Sequence, residues 1–202
     1  MTIILIAITV AVSYAAFKSP KLMDQLQFNA SKVYYKKEYH RLITHAFVHA
    51  NWEHLFVNMI VLFSFGTAIE RYFEYNFGNL HNLYFAFLYF GGILVSNLYA
   101  LFKHYKNYFY NAVGASGAVS AVLFAAIFFD PWNMIYFFGI LPIPGIVFAV
   151  LYLVYSYQMG KKQNDNVAHD AHFLGALYGF VFPILLNPRL FENFIDKLFK
   201  MI

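Results

Sequence analysis

Residues 112–129 read AVGASGAVSAVLFAAIFF. The stretch carries no charge, and its only polar side chains are the hydroxyls of Ser116 and Ser120. Ser116 lies between Gly114 and Gly117, about one helical turn into the run. A second apolar stretch opens with AHFLG at 171–175, which places His172 just inside it. A glycine-flanked hydroxyl and a histidine at such positions make a poor lipid-facing surface. They are suited to be a nucleophile and its base within a membrane.

Composition sets the class. The 202 residues are 61 % hydrophobic and 22 % aromatic, with 12 % charged. Soluble domains average about 25 % charged residues, so a polytopic all-α membrane protein is expected. Runs almost free of charge give six candidate spans: Thr2 to Phe17, Trp52 to Glu70, Asn82 to Phe102, Ala112 to Phe129, Trp132 to Tyr157 and Ala171 to Asn187. Six helices imply one compact bundle over residues 1–187. The first run ends near Ser13-Tyr14-Ala15, similar to a cleavage site, but lacks a basic leader and is taken as a retained span. Cysteine is absent, so a covalent nucleophile has to be a hydroxyl. The net charge of +4 suits polar loops near anionic lipid, and no Lys/Arg-rich block suggests a nucleic-acid partner.

The connection from Lys18 to Asn51 is too long for a structureless loop in a compact domain. Its apolar side chains among lysines point to a partly folded interfacial segment. From Pro188 onward, Leu190, Phe191, Phe194, Ile195, Leu198 and Phe199 recur at three-and-four spacing, with Glu192, Asp196, Lys197 and Lys200 between them. Residues 188–202 are therefore expected to form a short amphipathic interfacial tail.

Consecutive spans alternate in direction, so spans two, four and six enter from one side. His54 and Asn58, Ser116, and His172 stand near those leading ends and should share a depth. Spans four and six are short, and a helix that starts below the surface needs a water-filled recess, which would supply water for hydrolysis. Gly114, Gly117 or Ala118, Ala121 and Ala125 form a narrow face on span four. Gly175 and Gly179 form another on span six, so the two backbones can approach closely.

Ser116 with His172 fits a dyad in which a neutral imidazole takes the hydroxyl proton. The plainer alternative is a packing serine and a buried histidine satisfied by a carbonyl. His54 and Asn58, four apart on one helix face, could donate to the oxyanion of a tetrahedral intermediate; interhelical hydrogen bonding explains them equally well. The spacings of His45, His49 and His54, and of His169 and His172, would also suit zinc, yet no H-E-x-x-H occurs, so no metal and no cofactor are expected. His40, His81 and His104 are expected in loops. Asp170 precedes His172 by two residues and points elsewhere on a helix. Glu70 and Arg71 close span two at the far face, and Arg41 and Thr44 are expected to brace the long connection.

At these residues the chain resembles the rhomboid intramembrane serine proteases. The resemblance rests on RLITHAFVH at 41–49, the His54-x-x-x-Asn58 pair, Gly66 to Glu70, GASG at 114–117, and Ala171-His172 followed by Gly175 and Gly179. It implies a six-transmembrane-helix core, with the Lys18 to Asn51 connection as an in-plane loop between helices 1 and 2. It further implies Ser116 as nucleophile, His172 as base, and an oxyanion hole from His54, Asn58 and the Ser116 backbone N–H. The substrates implied are transmembrane helices, cut near one membrane surface.

Two positions depart from the family pattern. The residue four after the serine, often an aromatic that packs on the catalytic histidine, is Ser120, so another side chain has to hold the ring. The tryptophan that often precedes the loop arginine is His40. The family orientation would put the N-terminus in the cytoplasm, whereas the Lys/Arg bias between loops points the other way. The expectation is an integral, multi-pass serine endopeptidase, with a prokaryotic inner membrane as the setting by analogy. The rivals are a catalytically silent relative that binds transmembrane helices, and a histidine-lined transporter.

Overall fold

In the computed structural model, residues 1–137, 139–162 and 167–199 are described. Phe138, within the expected fifth span, and Lys200 to Ile202, at the end of the expected tail, lie outside them. The chain is mostly helical: α1 (Thr2–Phe17), α2 (Pro20–Leu26), α3 (Ala30–Lys36), α4 (Arg41–Thr44), α5 (Trp52–Phe77), α6 (His81–His104), α7 (Ser116–Phe129), α8 (Gly145–Lys162), α9 (His169–Leu186) and α10 (Arg189–Phe199). One antiparallel hairpin, β1 (Met134–Phe137) with β2 (Leu141–Pro144), separates α7 from α8.

Helix α7 forms the centre. Every residue from Gly117 to Phe129 is buried, as expected of a helix that is apolar on all sides and surrounded by other helices. Its neighbours are α5, α6, α8 and α9. Small residues let α6 and α9 close on it. A Cβ at Gly92 would stand 2.9 Å from the Ala121 Cβ, and one at Gly179 would overlap the Ala121 carbonyl. Phe73, Phe85, Leu88, Tyr89, Val122 and Phe128 fill the space around this centre.

Among the described residues, two helical stretches are by length and composition long and apolar enough to cross a membrane. They are Trp52–His104, which is α5 and α6 joined by a short 3-10 turn, and α9. Helices α1 and α7 are apolar but shorter. The 14 residues of α7 rise only about 21 Å, against a hydrocarbon core of about 30 Å.

Several boundaries differ from the sequence reading. The expected fifth span, Trp132 to Tyr157, is not one helix. Pro142 and Pro144 lack N–H donors and drive the residues before them into extended backbone. Leu141–Pro144 accordingly pairs back on Met134–Phe137 in the register Met134↔Pro144, and helix begins only at Gly145. The expected fourth span begins at Ala112, but the helix begins at Ser116 itself. Ala112 instead exchanges backbone hydrogen bonds with Phe28, at 3.1 and 2.9 Å, and Gly114 takes φ 113°, which no helix continues through. At the other end of span two, Glu70 and Arg71 do not stop α5; it runs to Phe77 and ends at Gly78 with φ 54°.

The Lys18 to Asn51 connection holds α2, α3 and α4, the first two set by local caps. Ser19 accepts from Leu22 N–H, and Asn29 from Lys32 N–H. Buried Arg41 donates to the carbonyls of Asp24 and Gln27 and to Glu38 Oε2 at 2.5 Å; Thr44 Oγ1 donates to Leu26 O at 2.8 Å. The Arg41 guanidinium holds the Glu38 carboxyl below the usual carboxylate range. Helix α10 buries Leu190 and Phe194, and Lys197 Nζ donates to Phe129 O at 2.7 Å, a cation at the C-terminal end of α7.

Candidate active site

Backbone geometry just ahead of α7 sets the position of Ser116. Gly114, in the left-handed region, turns the chain so that Ser116 is the first residue of the helix. The first N–H groups of a helix have no partners within it, so the positive end of the α7 dipole lies at the serine. His54 packs against that turn: a Cβ on Gly114 would stand 2.5 Å from His54 Cε1 and 2.8 Å from Nε2. Glycine is therefore required there for both φ and space. Asn51 caps α5 by accepting from His54 N–H at 2.8 Å, which fixes where that imidazole leaves the helix.

His172 Nε2 stands 2.7 Å from Ser116 Oγ. The contact depends on the seam between α7 and α9, where a Cβ at Gly175 would overlap the Gly117 carbonyl. Asn58, buried one turn beyond His54, donates one amide N–H to His54 O at 2.8 Å. The structure thus joins Ser116 directly to His172 and sets His54 against the turn that carries Ser116. Asp170 meets Lys103 at 3.4 Å. Among the described residues, no three His, Asp or Glu side chains group so as to hold a metal ion.

Two further histidines support the site from beneath. His45 Nε2 accepts from Asn97 Nδ2 at 2.8 Å, while its Nδ1–H donates to Arg41 O at 3.2 Å. His49 Nε2 accepts from Ala115 N–H at 3.4 Å; its Nδ1–H donates to Ser13 Oγ at 3.0 Å, which in turn donates to Phe47 O at 2.9 Å. Both rings are therefore neutral Nδ1–H tautomers, each meeting a donor at Nε2. His49 ties α1 to the residue before the serine.

Burial pushes the His45 imidazole down to about 4; burial, with His54 and His45 as neighbours, pushes His49 down to about 3. The unfolded pKa is about 6.5, so between these values the unfolded chain binds more protons than the folded one. Stability is complete above about pH 6.5 and is lost as pH falls toward 4. At about 1.4 kcal/mol per unit, the loss across the pair reaches several kcal/mol. Thermal unfolding of the solubilised protein from pH 8 to pH 4 checks this. His49→Gln should be less stable at pH 8 yet show a shallower decline.

The roles of Ser13, Asn97 and Tyr152 were not legible in the sequence. Ser13 and Asn97 are polar residues within apolar helices, a signal for a buried partner without saying which one. The Tyr152 ring stacks on His172, with centroids 6.4 Å apart and planes 24° apart, and its hydroxyl meets Ser120 Oγ at 2.6 Å. One tyrosine among the seventeen in the chain carries no sequence mark of that role.

The Rhomboid domain family model matches residues 36–189, well over half of the chain. Over 152 residues the chain is 31 % identical to RHOMBOID-like protein 12, mitochondrial, of Arabidopsis thaliana; the match covers 68 % of this chain and 43 % of that protein. The chain thus spans less than half the length of this relative. The relative's mitochondrial name gives no support to the expected prokaryotic inner membrane. With a family match that takes in His54, Ser116 and His172 together, the chain belongs to the rhomboid family.

Proposed function

We propose that this protein is an intramembrane serine endopeptidase that cleaves transmembrane helices of other proteins near one membrane surface. The observation that carries the reading is the 2.7 Å contact between Ser116 Oγ and His172 Nε2 in a chain of the rhomboid family. In this reading α1, α5, α6, α7, α8 and α9 form a six-helix membrane core. The connection from Lys18 to Asn51 lies in the interface, and α10 lies along the opposite surface.

Ser116 Oγ attacks the scissile carbonyl carbon while His172 Nε2 takes its proton. The carbonyl oxygen becomes an oxyanion, stabilised by the Ser116 backbone N–H at the start of α7, a His54 ring N–H and the second Asn58 amide N–H. One such donor is typically worth about 2.7–4 kcal/mol of transition-state stabilisation. Collapse breaks the C–N bond, the imidazolium returns its proton to the leaving amine, and an acyl ester remains on Ser116. Water then repeats the sequence and frees the serine. A helix as short as α7, 14 residues, cannot span the hydrocarbon core, so a recess at its start would give that water a route to the ester without crossing lipid.

The test is reconstitution with a single-span substrate helix and mass analysis of the products. One cut close to the membrane surface is expected, and none with Ser116→Ala. A helix that co-purifies with wild-type protein and stays intact would instead make the chain a silent helix-binding relative.

A further inference from the structure

We propose that Tyr152 is a positioning residue for the Ser116–His172 pair, acting on both partners at once from α8. The inference rests on the reading of that pair as a catalytic dyad. Position 120, one turn past the nucleophile, carries only a hydroxymethyl group, too short to cover the imidazole of His172. The Tyr152 ring takes that place, 6.4 Å from His172 between centroids and within the range of aromatic stacking.

The hydroxyls show how the ring is held. Ser120 Oγ donates to Ser116 O at 2.8 Å, so its lone pairs remain for the Tyr152 hydroxyl, which donates at 2.6 Å. A continuous relay thus runs from the Tyr152 O–H through the Ser120 O–H to the carbonyl of the nucleophile's own residue. Phe124 and Phe148, with centroids 5.5 and 5.8 Å from Tyr152, pack against the same ring. The tyrosine is therefore fixed by its neighbours and by its hydroxyl, while its face limits how far the imidazole can swing from Ser116 Oγ. An aromatic face also favours the imidazolium that forms as the proton is taken.

The inference is tested with a fluorophosphonate probe on folded, solubilised protein, measuring the inactivation rate constant separately from probe affinity. Tyr152→Leu should lower the rate constant about tenfold with affinity unchanged, since one ring contact is worth roughly a three- to tenfold factor. Tyr152→Phe, which keeps the face and loses the relay, should stay within about threefold of wild type. Because residue 120 adjoins the tyrosine, Ser120→Phe should restore part of the rate in the Tyr152→Leu background. A Tyr152→Leu rate equal to wild type, while Ser116→Ala abolishes labelling, overturns this inference and leaves the dyad standing. An unlabelled wild type overturns both. If Tyr152→Leu does not fold, Tyr152→Met, which fills the space without an aromatic face, decides by the same rate constant: a wild-type value there overturns the inference.

Discussion

Replacement of Ser116 by alanine should reduce cleavage of a reconstituted substrate helix by at least ~10³-fold, and His172→Ala should do nearly the same. Groups that act as one unit are not additive, so the double variant should lose little beyond either single change. The structural consequence should be small by comparison. Ser116 contributes one side-chain hydrogen bond, at 2.7 Å to His172, and such a bond is worth about 1 kcal/mol of stability. A large fall in rate with nearly unchanged thermal unfolding is the signature of lost chemistry. Parallel losses of rate and of folded protein would instead assign the pair to packing.

The second large effect concerns the seam between α7 and α9. Alanine at Gly175 would place its Cβ inside the Gly117 carbonyl, and alanine at Gly179 would do the same at Ala121 O. The obstacle in each case is backbone, which no side-chain rotation relieves. The helices must separate, and His172 and Ser116 stand on opposite sides of that seam. A displacement on the order of 1 Å can cost about 10²-fold in rate. Gly175→Ala and Gly179→Ala should therefore lose activity by about that factor and destabilise the protein by about 1–3 kcal/mol. Leu177→Ala is the control: Leu177 is exposed on α9, and its truncation should leave cleavage close to wild type. Activity assays with parallel thermal unfolding measure both quantities.

Much of the helical layout was readable in runs almost free of charge, because apolar stretches of this length bury themselves most simply as helices. Hydropathy alone misplaced the ends. Glu70 and Arg71 end the apolar run, yet the hydrogen-bond ladder of α5 continues to Gly78. The run from Trp132 is apolar, but its prolines select a hairpin before Gly145, a matter of backbone chemistry that hydropathy does not weigh. The start of α7 at Ser116 follows from the positive φ of Gly114, and a glycine in an apolar run does not announce its φ.

The site divides in the same manner. The approach of Ser116 to His172 followed from span parity and from the glycines on both helices, since close backbones bring short side chains together. The bracing by Arg41 and Thr44 was legible because polar groups in a long connection need partners. Ser120 revealed that the histidine lacked a ring one turn past Ser116. Its replacement came from α8, more than thirty residues away in sequence, and only tertiary packing could identify Tyr152. The networks from His45 to Asn97 and from His49 to Ser13 were hidden for the same reason.

The most direct measurement is covalent labelling of folded wild-type protein with a fluorophosphonate, with the modified residue located by mass spectrometry. One adduct is expected, on Ser116, that forms at neutral pH and is lost in His172→Ala. Folded wild-type protein that takes no label, or takes it equally well without His172, would contradict an activated serine at this site.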